Sequence, residues 1–104
     1  MYTAAKTRAC LASEDAHIGG KLDFVASTAT GGAFIATLSD NWVTIAFGTK
    51  QSDADDIALA YQRFAFPNVR DNIQDVLERY QNAVLLWHMH PGNADLALVT
   101  GCLK

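Results

Sequence analysis

Basic residues are scarce in this chain: eight lysines and arginines against eleven acids leave a formal net charge of −3 over 104 residues. They are scattered and form no stripe, which speaks against binding to a nucleic-acid backbone. Long apolar runs are lacking as well. No stretch approaches the roughly 20 residues of a membrane-spanning helix. Lys6 and Arg8 are followed only by Ala9-Cys10-Leu11-Ala12 and then by Ser13-Glu14-Asp15, far short of the apolar segment of a secretory leader. The expected location is therefore the cytoplasm, with neither a membrane nor a nucleic acid as partner. Cysteine is limited to Cys10 and Cys102, near opposite ends of the chain. One pair defines no disulfide scaffold. Although chain ends often lie close in space, the two are read as reduced, packed hydrophobes. A glycine-rich phosphate loop, a G-x-S-x-G elbow and a CxxC pair are all missing, as are linkers, repeats and low-complexity stretches.

What is present describes one globular domain, with half of the residues hydrophobic and 18% charged. The alanine-rich stretch from Thr3 to Ala16 reads as a helix, stopped by Gly19-Gly20. Three strands are expected next. Lys21 to Thr28 alternates, with Leu22, Phe24 and Ala26 on one face. After the Gly31-Gly32 turn, Ala33 to Leu38 is apolar on both faces, and Trp42 to Phe47 aligns Val43, Ile45 and Phe47. Beyond Gly48 the period changes to 3.6. Ser52 is a candidate N-cap, and Ala54, Ile57, Ala58, Tyr61 and Phe64 make one apolar stripe. Phe66-Pro67 breaks that helix. A second one is expected from Asn68, with Val69, Ile73, Val76, Leu77 and Tyr80 on one side and an Asp75–Arg79 pair at i,i+4. Ala83 to His90 reads as a buried strand. For Asp95 to Leu103, alternation of Leu96, Leu98, Thr100 and Cys102 favours a strand over a short helix capped by Asn93.

The expected fold is thus α+β: an antiparallel sheet of about five strands, a β-meander plus a C-terminal hairpin, with two or three helices packed on one face. The other face would be poorly covered. Aromatics there would point to dimerisation or a partner interface.

The sharpest chemical signal is Trp87-His88-Met89-His90-Pro91-Gly92. On a strand, His88 and His90 share a face with Val84 and Leu86, so two imidazoles can grip one metal ion. His88-x-His90-Pro91 resembles part of the signature of the JAB/MPN zinc isopeptidases. What the resemblance implies is a strand that delivers two histidines to zinc, a downstream acid as third ligand, a serine at the oxyanion and an upstream glutamate that activates metal-bound water. Only His88, His90 and Pro91 carry over. Leu98 and Gly101 stand where the serine and the aspartate belong, Asp95 lies too close, and the upstream base has no match beyond an acid such as Glu14. His17 is a third ligand only if the fold brings it across.

Three readings of function follow. In the first, the chain is a small interaction protein acting by surface complementarity, such as an inhibitor, an immunity protein of phage or toxin-neutralising type, or a homodimer subunit. Asp53, Asp55 and Asp56 would steer a basic partner, although acids in a first helical turn also answer the helix dipole. No catalytic residue and no cofactor is assigned in this reading. In the second, His88 and His90 bind zinc, as in a degenerate metallohydrolase. The third places a small-ligand pocket between the helix pair and the meander. Trp42, Trp87 and Tyr80 are read as core or interface aromatics.

Overall fold

The computed structural model describes residues 1–104. Helix α1 (Ala4–Ser13) starts at Thr3, whose hydroxyl accepts the Lys6 N–H, and it stops where Asp15 turns left-handed at φ 66°. Two residues, His17–Ile18, make the edge strand β1. Strands β2 (Ala33–Thr37) and β3 (Trp42–Phe47) follow the turn signals closely. Helix α3 (Gln51–Phe64) buries Ala54, Ile57 and Tyr61 of the expected stripe but leaves its last member, Phe64, exposed. Its start is fixed by Asp53, whose carboxylate accepts from Thr49 N–H at 3.0 Å and from the Thr30 hydroxyl at 2.9 Å. Gly48 has to be glycine there, because a Cβ would collide with the Asp53 side chain.

The sheet is five-stranded and antiparallel throughout, in the order β1-β2-β3-β5-β4, where β4 is Leu77–Tyr80 and β5 is Ala83–Trp87. Strand alternation divides its side chains. On one face Phe34, Ala36, Val43, Ile45, Phe47, Ala83, Leu85 and Trp87 form the main core with Leu11 of α1 and with Val99 and Cys102 of α6 (Asn93–Cys102). On the other, Ala46 and Val84 meet Ala54, Ile57 and Tyr61 of α3 and Val25 of α2 (Phe24–Ser27). Each fully buried Val, Leu, Ile or Phe is worth about 1.5–3 kcal/mol, so both layers matter to stability.

The α+β class and the five antiparallel strands agree with the sequence reading, but the helices do not. There are six, not two or three, and they cover both faces of the sheet. Three of them are single turns: α2, α4 (Pro67–Arg70) and α5 (Ile73–Val76). Lys21–Thr28 is not a strand, because Asp23 accepts the Ala26 N–H at 2.8 Å and the Ser27 and Thr28 hydroxyls bond back to Phe24 O and Val25 O. These local bonds outcompete a ladder. The helix expected from Asn68 to Tyr80 ends at Val76. Leu77–Tyr80 instead pairs with β5, Leu77 opposite Leu86 and Tyr80 opposite Ala83, and Arg79 bridges to Asp55 of α3 rather than to Asp75. The C-terminal hairpin is therefore β4–β5, and the tail is helix α6, which lays Val99 and Cys102 on the core.

The cysteines are also corrected. Cys10 and Cys102 form a disulfide, with Cα atoms 5.4 Å apart across 92 positions of sequence. Because α1 and α6 lie side by side on one sheet face, residues far apart in sequence become neighbours. No helix is long and apolar enough to cross a membrane.

Candidate functional site

The helical hood on the second face stops short of one corner of the sheet. Trp42 and Thr44 of β3 and Leu86 of β5 form the floor of a cleft of about 450 Å³. One wall is the turn into α2, Lys21 to Val25; the opposite wall is the C-terminal end of α3 with Phe66 and Val69 beyond it. Two contacts hold the walls together. The Tyr61 hydroxyl donates to Asp23 Oδ2 at 2.9 Å, and the Phe24 and Phe64 rings meet edge to face with centroids 6.5 Å apart. Burial of Tyr61, reinforced by the Asp23 charge and their hydrogen bond, pushes the phenol pKa far above its ordinary value, so the bond stays intact across the physiological range.

The lip of the cleft is aromatic. Phe24, Phe64 and Phe66 are 72, 65 and 74% exposed, and Trp42 is 39% exposed. Large apolar groups gathered at one place on a surface mark an interaction site. The floor holds one polar group, Thr44, 2% exposed as a residue. Its hydroxyl makes no hydrogen bond within the chain. Since every side-chain polar atom sealed from solvent has a partner, this hydroxyl opens into the cleft. A second, shallower hollow of about 140 Å³ lies between Val25, Thr30, Asp56 and Ile57.

The two histidines lie beside this cleft. His88 follows β5 on the face of Val84 and Leu86, its N–H bonded to Trp42 O and its ring stacked on Trp42 at 4.7 Å and 12°. Asn41 pins the next residue, donating to Met89 O and accepting Met89 N–H at 2.9 and 3.0 Å. His90 Nδ1 sits 2.9 Å from Asp75 O. The rings are thus anchored on opposite flanks of β5, one toward β3 and one toward α5 and β4. His17 is no third partner. It occupies the row His17, Thr37, Trp42, His88 at the far edge of the sheet, three strand spacings or about 14 Å away, whereas a zinc ligand has to reach within about 2.1 Å. No group of three or more His, Cys, Asp or Glu side chains is placed to hold a metal ion.

The three aspartates divide. Asp53 is absorbed by the Thr30 and Thr49 hydrogen bonds, which hold its pKa below the ordinary value. Asp55 pairs with Arg79, and Asp56 borders the small hollow. All three lie at the N-terminal end of α3. The cleft begins at Tyr61, five residues or about 8 Å along the helix axis from Asp56, and runs toward the other end.

The arrangement is an apolar cleft at one corner of the sheet, floored by Trp42, Thr44 and Leu86 and walled by the turn into α2 and the end of α3. No protein-family model matches the chain, nor does any curated protein or solved structure. Sequence reasoning missed Lys21, Phe24, Thr44, Phe64 and Phe66 as site residues. The one available signal was Phe64-Ala65-Phe66-Pro67, two phenylalanines straddling a helix end, where a stripe residue has little left to pack on.

Proposed function

We propose that this chain is a small interaction protein that works by surface complementarity, taking a segment of a protein partner into the cleft lined by Trp42, Leu86, Tyr61 and Phe64. One observation carries the reading: three phenylalanines stay mostly exposed around a preformed cleft in a chain whose sealed polar groups are otherwise all satisfied. Such rims supply the binding energy of interfaces, where a few aromatic anchors dominate. Steric blocking of the partner, as by an inhibitor or immunity protein, is the corresponding mechanism. Asp56, and Asp55 beside Arg79, would steer basic groups elsewhere on that partner from the N-terminal half of α3.

The zinc reading has His88 and His90 as its ligands and no specific observation that favours it further. The Cys10–Cys102 disulfide supports work in an oxidising compartment rather than the reducing cytoplasm.

The test is selection of a random 12-residue phage-displayed peptide library on the oxidised protein, with Phe64→Ser and Phe66→Ser as counter-targets. Both side chains are exposed, so Phe66→Ser should melt like the wild type and Phe64→Ser, which gives up only the ring contact with Phe24, within a few degrees of it. Selected peptides should lose at least tenfold in affinity on either variant, about 1.4 kcal/mol. Peptides that bind all three proteins equally would refute the cleft as the docking site.

A further inference from the structure

The floor and mouth of the cleft say what kind of segment enters, an inference that rests on the cleft being the docking site. Of the three residues on the sheet floor, Trp42 and Leu86 are apolar and Thr44 brings a hydroxyl that nothing in the chain satisfies. In the empty cleft that hydroxyl is reached by water. A purely hydrocarbon anchor would displace the water and leave the hydroxyl unpaired, which is the costly case for a buried polar group. An aromatic side chain with a polar tip avoids that cost. Tyrosine and tryptophan fit, with an apolar body for Trp42, Leu86 and Phe64 and an O–H or N–H at the tip.

The mouth has a sign. Lys21 lines it and forms no ion pair, the one ion pair of the chain being Arg79 with Asp55. The segments that build the lip carry Lys21, Arg63 and Arg70 against Asp23, with Asp71 capping α4 directly after Arg70. Arg70 Nη1 lies 3.2 Å from Arg63 O, which holds that guanidinium at the α3–α4 corner. Asp23 is occupied on both oxygens, by the Tyr61 hydroxyl and the Ala26 N–H. In a chain of net charge −3, the one cation that lines the cleft is thus Lys21, with Arg63 and Arg70 on the adjoining segment. The exposed Phe24, Phe64 and Phe66 rings continue the apolar surface outside the cleft itself, which suits a polypeptide that has side chains for both.

We infer that the occupant is an acidic segment of a partner protein, anchored in the cleft by a tyrosine or tryptophan whose polar tip bonds the Thr44 hydroxyl while its flanking carboxylates face Lys21, Arg63 and Arg70. The library selection tests this by the sequences it returns. Peptides dependent on Phe64 should carry a tyrosine or tryptophan with aspartates or glutamates around it. In fluorescence anisotropy, changing that tyrosine to phenylalanine should weaken binding to the wild type about five- to tenfold. On the Thr44→Val protein the same change should have no effect, closing a double-mutant cycle, and Thr44→Ser should restore the preference. Changing the peptide's acids to lysines should cost at least as much, and added salt should weaken the acidic peptide.

Phe64-dependent peptides with phenylalanine or leucine anchors of equal affinity, or with neutral or basic flanks, would overturn the inference while leaving the docking site standing. A selection that returns no Phe64-dependent peptide would overturn both. So would a concentration-dependent dimer in sedimentation that Phe66→Ser abolishes, since the occupant would then be a second copy of the chain.

Discussion

Replacing Asn82 by alanine should remove about 3 kcal/mol of stability, although the side chain belongs to neither apolar core. Asn82 follows Gln81, which has φ 53°, in the β4–β5 turn, and it is 1% exposed. Its Oδ1 accepts the Tyr2 N–H at 2.9 Å; its Nδ2 donates to Tyr2 O and to Gly48 O, both at 2.8 Å. Three backbone groups of two distant segments thus depend on one carboxamide. At a net value of about 1 kcal/mol per hydrogen bond, their loss sums to about 3 kcal/mol. A domain of this size holds on the order of 5–15 kcal/mol in all, and the melting point should fall by roughly 10–20 °C. Urea unfolding followed by the fluorescence of Trp42 and Trp87 should show a lower midpoint at an unchanged slope. Asn82→Asp is the informative control. It keeps the acceptor for Tyr2 N–H but sets a carboxylate against two carbonyl oxygens, so it should be no milder than alanine. A loss below about 1 kcal/mol for Asn82→Ala, or an aspartate variant that is the more stable of the two, would refute the argument.

Two further outcomes follow from the same structure. Replacing Cys10 and Cys102 together by serine opens a loop of 92 positions, worth about 4–5 kcal/mol on chain-entropy grounds, and identical urea midpoints for the oxidised and the double-serine proteins would contradict the pairing. Asp53 has its folded pKa depressed, first by the Thr30 hydrogen bond and then by those from Thr49 and Lys50, against opposing desolvation. Its contribution is therefore complete above the unfolded aspartate value of about 3.9 and disappears as pH falls through the lower folded value. Melting points between pH 2 and 6 should accordingly fall less steeply toward acid for Asp53→Asn than for the wild type.

Elements whose evidence lies within their own residues were readable in the sequence. Of the stripe Ala54, Ile57, Ala58, Tyr61 and Phe64, the first two and Tyr61 are buried, Ala58 is half-buried and Phe64 is left exposed, and β2, β3 and most of β5 lie where apolar runs meet turn residues. Elements chosen by a distant partner were not. Leu77–Tyr80 satisfies both periods, completing a helical stripe with Ile73 and Val76 while also alternating Leu77 and Arg79 against Glu78 and Tyr80. What decides is β5, together with Glu78, which accepts the Trp87 indole N–H at 2.7 Å. The tail is the same case. Leu96, Val99 and Cys102 fit a helix as well as Leu96, Leu98 and Cys102 fit a strand, and the choice falls to α1, which offers a groove and Cys10. A disulfide spanning 92 positions has no local signature at all.

The candidate site lies where the strand reading of Lys21–Thr28 fails, and the connection is physical. As a strand, that segment would have turned Leu22, Phe24 and Ala26 toward one core. Asp23 instead caps a single helical turn and accepts the Tyr61 hydroxyl, which fixes the turn against α3 with Val25 on the sheet and Phe24 turned out. Phe24 is left exposed beside Phe64, while Trp42, Thr44 and Leu86 lie open below them. The bonds that defeat the alternating pattern are therefore the ones that build the cleft wall. Local pattern and tertiary structure tend to disagree where a protein keeps a surface for something other than its own core.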